Sequence, residues 1–365
     1  MAPRIRENIL KISPYKAGES KVEGVAKVFK LSSNENTAGP SPKAVEAYRA
    51  AADRIPFYPD PTNARLRAAL AAHWNIEADR ILTGTGSDHI LELLCYAYAG
   101  PGDEVLFPEL TFPMYEIAAL TAGATPVKAP MKGDAVSIEA LIERANAKTK
   151  LVYLANPNNP TGHFLHKDEV QRLRAGLPDD TLLVLDSAYA EYVEDIDYTA
   201  GTDLVKASID SGANNVIMTR TFSKMFALAG LRVGWGYGPD DVIGAIGRIR
   251  SPFAVTTSAE EAAIAALADG AHFEASLALN SEWLPTINER LKDLGFNVTE
   301  GAGNFAFFRV PEALGSMAEL DAHLRKSGII VRAFPPVGAL RVTVGQVDEN
   351  EAFLSAVEAY AKARG

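Results

Sequence analysis

The sequence predicts an α/β protein in which a large first region on a mainly parallel sheet precedes a smaller α/β region. Two observations carry this. From about residue 80 to residue 186, short apolar runs alternate with helical patterns, the order that lays helices against a parallel sheet. After about residue 250, two long helical patterns are followed by short strands and further helices, which suits helices covering one face of a small sheet. The length of 365 residues agrees with roughly two domains. The division expected is an arm over 1–30, a large region over 31–250 and a small one over 251–365.

In chain order, the arm contains a turn at Ser13-Pro14-Tyr15 and closes on a short strand at 27–31. The run SSNENTAGPSP follows; its Asn and Ser are turn chemistry, and such loops also hold binding groups, which makes Asn34 a candidate. A helix is expected over 42–52. In PFYPDPTNARL three prolines surround Tyr58 and impose an extended or turn segment, with a helix after it over 63–73. Next come a short apolar run, the loop Gly84-Thr85-Gly86-Ser87-Asp88, and a helix with Ile90, Leu93, Leu94 and Ala97 on one face. The start of that helix presents free N–H groups to a phosphate; Ser87 or Asp88 can equally serve as a plain cap. His89 stands where a dinucleotide fingerprint needs its third glycine.

Strands at 102–107, 125–130 and 151–156 alternate with helices starting near Pro113 and over 138–147. Sites in such sheets lie beyond the carboxyl ends of the strands. Phe112 and Tyr115 follow GDEVLF there, Asn156, Asn158 and Asn159 follow LVYLA in NPNNPTG, and Asp186 follows TLLVL with Tyr189 three residues on. Asp186 is informative because a carboxylate directly after an apolar strand is costly without a partner. A buried cation such as a protonated pyridine nitrogen would provide one; a helix cap ahead of AYAEY is the plainer alternative.

The stretch NVIMTRTFSKMFALAGLRVGWGYG (215–238) places Lys224 among apolar neighbours. A dry lysine loses the ammonium form readily and becomes a nucleophile for carbonyls, whereas an ordinary one packs its stem and sends its head to water. Thr221, Ser223 and Arg232 supply hydroxyl and guanidinium donors for a phosphate. After a helix over 240–250, helices over 258–268 and 273–295, strands FNVT, NFAFFRV, IIVRA and ALRVTV, and helices over 317–327 and 349–363 make up the second region, with Arg332 and Arg341 in or at the ends of its last two strands.

Composition narrows the partners. With 47% hydrophobic and 22% charged residues the chain is an ordinary globular protein. A formal net charge of -10 argues against a general nucleic-acid or anionic-membrane partner while leaving room for a local basic pocket. The single cysteine, Cys95, excludes an internal disulfide and a thiolate metal site and suits a reducing compartment. No apolar run is long enough for a signal peptide or a membrane span, so cytoplasmic location is expected. His163 and His166 lack an acidic or cysteine partner at ligand spacing; no metal is expected.

A reactive lysine, a strand-end carboxylate, a tyrosine, an asparagine, an aromatic ring and several phosphate donors together suit pyridoxal phosphate. In SSNEN, FYPDP, GTGSD, GDEVLFPELTFPMY, LANPNNPTG, VLDSAYAEY, TRTFSKMFALAGLRVGW and LRVTVG, in that order, the chain resembles the fold-type I pyridoxal-phosphate aminotransferases, and among them the histidinol-phosphate aminotransferases. That resemblance covers nearly the whole chain. It implies a three-layer αβα large domain, Lys224 as the residue that bonds the cofactor's aldehyde, Asp186 as partner of the pyridine nitrogen, and Tyr189 and Asn159 as donors to the ring oxygen. Phe112 would cover the ring; Ser87, Asp88, Thr221, Ser223 and Arg232 would hold the phosphate. Tyr58 matches a residue that reaches the neighbouring subunit's cofactor, which implies a homodimer. Arg341 would bind the substrate's anionic group, helped by Arg332, Asn34 and Tyr15, with glutamate and 2-oxoglutarate as the second substrate pair. Its rivals are an aromatic amino-acid aminotransferase on the same fold, a phosphoamino-acid decarboxylase, and a cofactor-binding regulator without catalysis.

Overall fold

The computed structural model describes residues 3–14, 21, 22, 24 and 27–364; Tyr15 lies outside them. A two-residue strand, β1 (Phe29–Lys30), is followed by seven strands of one sheet: β2 (Ile81–Gly84), β3 (Glu104–Pro108), β4 (Thr125–Ala129), β5 (Thr149–Ala155), β6 (Leu182–Asp186), β7 (Val216–Thr221) and β8 (Gly234–Tyr237). Their order is β2-β8-β7-β6-β5-β3-β4, and β8 runs antiparallel to both its neighbours. Five short strands come later: β9 (Asn297–Thr299), β10 (Phe305–Arg309), β11 (Ile329–Ile330), β12 (Arg332–Phe334) and β13 (Ala339–Thr343). Four of them form an antiparallel sheet, β12-β13-β10-β9, while β11 pairs with β1.

Alternation along the strands builds two apolar layers on the large sheet. Leu106, Val152, Leu154, Leu183 and Leu185 enter one buried cluster, while Val105, Phe107, Leu151, Tyr153 and Val184 enter another, as successive side chains point to opposite faces. The helices Ser87–Tyr98, Met114–Ala122 and Asp240–Ile249 cover the second layer; Ala64–Trp74, Ile138–Arg144 and Lys167–Gly176 cover the first. This is the three-layer αβα arrangement. A third cluster joins Phe308, Leu340, Val342 and Phe353 with Leu31.

Two of these packings cut across the division expected from the sequence. Helix Thr257–Leu267 packs against Pro42–Ala50 and Ala64–Trp74, and its Ala259, Ala262 and Ala263 enter the large cluster. Small side chains at that spacing let it lie close to the large body. At the other end, β1 and Leu31 join the later body. The run IIVRA, expected as one strand, splits because Ile329–Ile330 pairs with β1 and Arg332–Phe334 with β13. Among the described residues no single helix is long and apolar enough to cross a membrane.

Candidate functional site

The carboxyl ends of the parallel strands open into a cavity of about 300 Å³, closed on its other side by Ser32, Ser33, Asn34, Arg332, Phe334 and Arg341. Asp186, the last residue of β6, is buried on its floor. Its Oδ2 accepts a hydrogen bond from the Tyr115 hydroxyl at 2.8 Å, and Thr219 Oγ1 lies 3.4 Å from Oδ1. Burial pushes this carboxyl up to about 6, against the opposing pull of the Tyr115 hydrogen bond. The sequence suggested a cation as its partner; within the chain the carboxylate is met by the Tyr115 phenol and by the Ala188 backbone N–H.

Lys224 follows β7 through the turn Phe222-Ser223. Met225, Phe226 and Leu228 are buried in the core and anchor the segment. The ammonium head is not sunk among them, as the sequence suggested. It is half-buried, donates to the carbonyls of Ser33 and Asn34 at 3.3 Å each, and sits 5.6 Å from the Tyr189 ring centroid. The carbonyls arrive on a loop about 190 residues away in sequence, held by Asn34 itself, whose φ of 54° is left-handed. Asn34 N–H donates to Thr343 Oγ1 at 3.0 Å and its amide donates to the Tyr189 hydroxyl at 2.8 Å.

Beside the lysine lies a cradle of donors. Helix Ser87–Tyr98 begins after Gly86, whose side shows no side-chain cap, so the first backbone N–H groups stay available to an anion. Arg232 donates to Ser223 Oγ at 3.2 Å and to Asp88 Oδ1 at 2.9 Å, and the Thr221 hydroxyl accepts from Ser223 N–H at 3.1 Å. Two glycines shape the cradle. A Cβ on Gly234 of β8 would lie 2.1 Å from Ser87 N, so the strand can approach the helix start only without a side chain. Gly86 has φ +86°, and a Cβ there would lie 2.1 Å from Asp88 Oδ1 and 2.4 Å from Arg232 Nη2. Gly86→Ala is therefore expected to displace the guanidinium and to cost about 1–2 kcal/mol in backbone strain; a cofactor titration would show weakened binding, and unchanged affinity would contradict the cradle.

Across the cavity, Arg341 is buried on β13 between the rings of Phe305 and Phe334, at 5.3 and 5.8 Å. It donates to Ser32 O at 2.8 Å and to Asn159 Oδ1. With the Asn159 oxygen so occupied, its amide nitrogen is left to donate. Arg332 is the register partner of Arg341 across β12 and β13, which puts both side chains on one face of the small sheet. Phe112 lines the cavity and meets Tyr115 edge-on at 5.7 Å.

The fold thus brings Lys224, Asp186, Tyr189, Asn159, Phe112, Ser87, Asp88, Thr221, Ser223, Arg232, Asn34, Arg332 and Arg341 around one space. Tyr58 is elsewhere: it is 82% exposed and stacks on Phe253 at 4.5 Å, outside its own chain's cavity. The sequence reading missed Thr219 and the Ser32–Ser33 carbonyl side, and noticed Tyr115 without its tie to Asp186. Thr219 was recoverable, because it stands two residues before Thr221 on the same strand.

A sequence model of the family aminotransferase class I and II matches residues 26–357. A histidinol-phosphate aminotransferase of Paramagnetospirillum magneticum is 46% identical over 98% of this chain and 99% of its own length, and one of Rhodopseudomonas palustris is 44% identical over 97% of each. The crystal structure of the histidinol-phosphate aminotransferase of Sinorhizobium meliloti, in complex with pyridoxal-5'-phosphate, superposes with a TM-score of 0.89 at 26% identity, covering 100% of this chain and 99% of that one. The match over residues 26–357, together with relatives 44% and 46% identical along nearly the whole chain, shows that the chain belongs to the class I and II aminotransferases.

Proposed function

We propose that the protein is a pyridoxal-phosphate-dependent histidinol-phosphate aminotransferase. It moves the amino group of L-histidinol phosphate to 2-oxoglutarate, leaving imidazole acetol phosphate and glutamate, a step of histidine biosynthesis. The observation that carries this is the presence of two separately anchored cationic groups around one lysine and one buried acid: Arg232, tied to Asp88 and Ser223, and Arg341, tied to Asn159 and Ser32. One suits the phosphate of the cofactor and the other the anion of the substrate.

The residues fit pyridoxal phosphate. Lys224 offers an amine, the cradle around Gly86 offers anion donors, and Asp186, raised to about 6 by burial, is an acid that a protonated ring nitrogen would partner. When bound, the cofactor supplies a carbonyl carbon for the amino group and a ring that draws electrons from the substrate's α-carbon. Lys224 Nζ would move the proton between that α-carbon and the carbon that had been the carbonyl, in either direction of the exchange. Asp186 would hold a proton on the ring nitrogen by its charge. Tyr189 accepts from Asn34, so its own hydroxyl proton is left to donate toward the ring oxygen, as is the Asn159 amide. Phe112 would cover the ring, and Ser87, Asp88, Thr221, Ser223 and Arg232 would hold the phosphate.

Arg332 and Arg341 face the same side of the small sheet as register partners across β12 and β13, so an anion bound there meets both guanidinium groups. Arginine's planar fork accepts the phosphate of one substrate and a carboxylate of the other, which lets one site serve both halves of a ping-pong exchange. Removing Arg341 by Arg341→Met should cut kcat/KM for histidinol phosphate roughly 100-fold, the worth of charge-assisted hydrogen bonds. The deciding assay sets histidinol phosphate against phenylalanine with 2-oxoglutarate as acceptor. The aromatic rings of Phe112 and Phe334 in the cavity favour the second reading, an aromatic amino-acid aminotransferase, and a higher kcat/KM for phenylalanine would replace the first with it.

The working form is a homodimer in this reading. Ile55, Phe57 and Tyr58 are 80%, 73% and 82% exposed in the proline-rich segment, apolar area that a second copy would cover while bringing Tyr58 to its neighbour's cavity. A single buried thiol, Cys95, suits the cytoplasm.

A further inference from the structure

We propose that Tyr115 is a positioning residue for the transamination centre: its hydroxyl fixes one oxygen of Asp186 so that the other is left for the cavity, while its ring backs Phe112. This rests on the role given to Asp186 above and adds the residue that sets it. Tyr115 is fully buried in the first turn of helix Met114–Ala122. Its ring stacks on Tyr153 with centroids 4.7 Å apart and planes 9° apart, meets Phe112 edge-on at 5.7 Å, and lies 6.1 Å from Phe107. Hemmed in by three rings in a close-packed interior, it has little freedom to turn. Its hydroxyl therefore lies along one line, toward Asp186 Oδ2 at 2.8 Å.

The column continues behind it. Tyr153 donates to Leu91 O at 2.7 Å, within the helix Ser87–Tyr98 whose start forms the phosphate cradle. The acid for the ring nitrogen, the aromatic cover and the cradle are thus spaced by one packed stack. Oδ1 of Asp186 is approached by Thr219 Oγ1 at 3.4 Å, at the far limit of a hydrogen bond, and the Ala188 backbone N–H also donates to this carboxylate; since a carboxylate offers about four lone-pair sites, Oδ1 keeps capacity for a donor in the cavity. A neutral phenol donating to a carboxylate favours its ionised form and opposes the effect of burial. The low dielectric of the interior strengthens that effect.

The test reads Asp186 in the full chain without cofactor, then the affinity for pyridoxal phosphate. The infrared carboxyl band that Asp186→Asn removes identifies protonated Asp186 and is followed with pH. Tyr115→Phe keeps the ring contacts and so the fold. In it the midpoint of that band is expected to rise by about one pH unit, and the Kd for pyridoxal phosphate at pH 7 to rise about tenfold. Tyr153→Phe removes a hydroxyl of the same column that donates to Leu91 O and not to Asp186; it lowers Tm, yet is expected to leave the midpoint in place. An unshifted midpoint in Tyr115→Phe overturns the proposal, as does an equal shift in Tyr153→Phe. Since the midpoint is read without cofactor, its failure is distinct from failure of the proposed reaction, which shows in the competition assay.

Discussion

Lys224→Ala is expected to abolish turnover, by about 10⁴-fold or more, and to remove the visible absorbance that depends on the lysine. The magnitude follows from the double duty proposed for one nitrogen. A positioned acid–base group contributes about 10²–10⁴-fold, and in the proposed mechanism the same amine would also be the nucleophile toward the cofactor's carbonyl. Among the described residues the nearest alternative, Tyr189, whose ring is 5.6 Å away, accepts from Asn34 and keeps its hydroxyl proton for the ring oxygen in the proposed arrangement, so it offers no second base. The variant should still fold, because Met225, Phe226 and Leu228 carry the packing of this segment while the lysine head makes two hydrogen bonds at 3.3 Å. Near-parental circular dichroism with no turnover and no lysine-dependent absorbance is the predicted outcome. Full activity in this variant would remove Lys224 from the mechanism.

What could be read from the chain alone follows the range of the interactions involved. Asp186 and Lys224 were legible because each breaks a local rule: a charge directly after an apolar strand, and an amine in a greasy turn. The alternation that produced the large sheet is equally local. The surroundings of those two residues were not legible. The Ser33 and Asn34 carbonyls meet Lys224 from the far end of the chain, and Tyr115 reaches Asp186 across 71 residues; neither pairing leaves a periodic trace. Strand β8 was hidden by its glycines, which lower strand preference yet are required where the backbone passes Ser87. Helix Thr257–Leu267 was recognisable as a helix but not as part of the large body. Its alanine-rich face shows that it packs closely and gives no sign of the partner.

Asp186→Asn should separate stability from catalysis by moving them in opposite directions. Without cofactor, burial holds this carboxyl at about 6, above its ordinary value of 3.8. Between those two pH values the folded chain binds more protons than the unfolded chain, so this group's favourable contribution is complete below pH 4 and is lost as pH rises through 6. At pH 7 the buried charge then costs about 3 kcal/mol. Asparagine is neutral, nearly the same size and still able to accept from Tyr115. The cofactor-free variant should therefore melt at a higher temperature than the parent at pH 7 and lose most of that advantage at pH 4. Turnover should fall about 10²–10³-fold, the usual cost of deleting a group aimed at charge that develops during reaction, since an amide cannot hold a proton on the ring nitrogen. Melting curves at pH 4, 5, 6 and 7 together with kcat for the saturated enzyme test both halves. An unchanged kcat contradicts the role of Asp186, and a melting difference independent of pH contradicts the account of its burial. In the proposed mechanism a charge that is costly in the bare protein becomes useful when a cation arrives opposite it, which would account for an acid at the end of a strand otherwise made of leucine and valine.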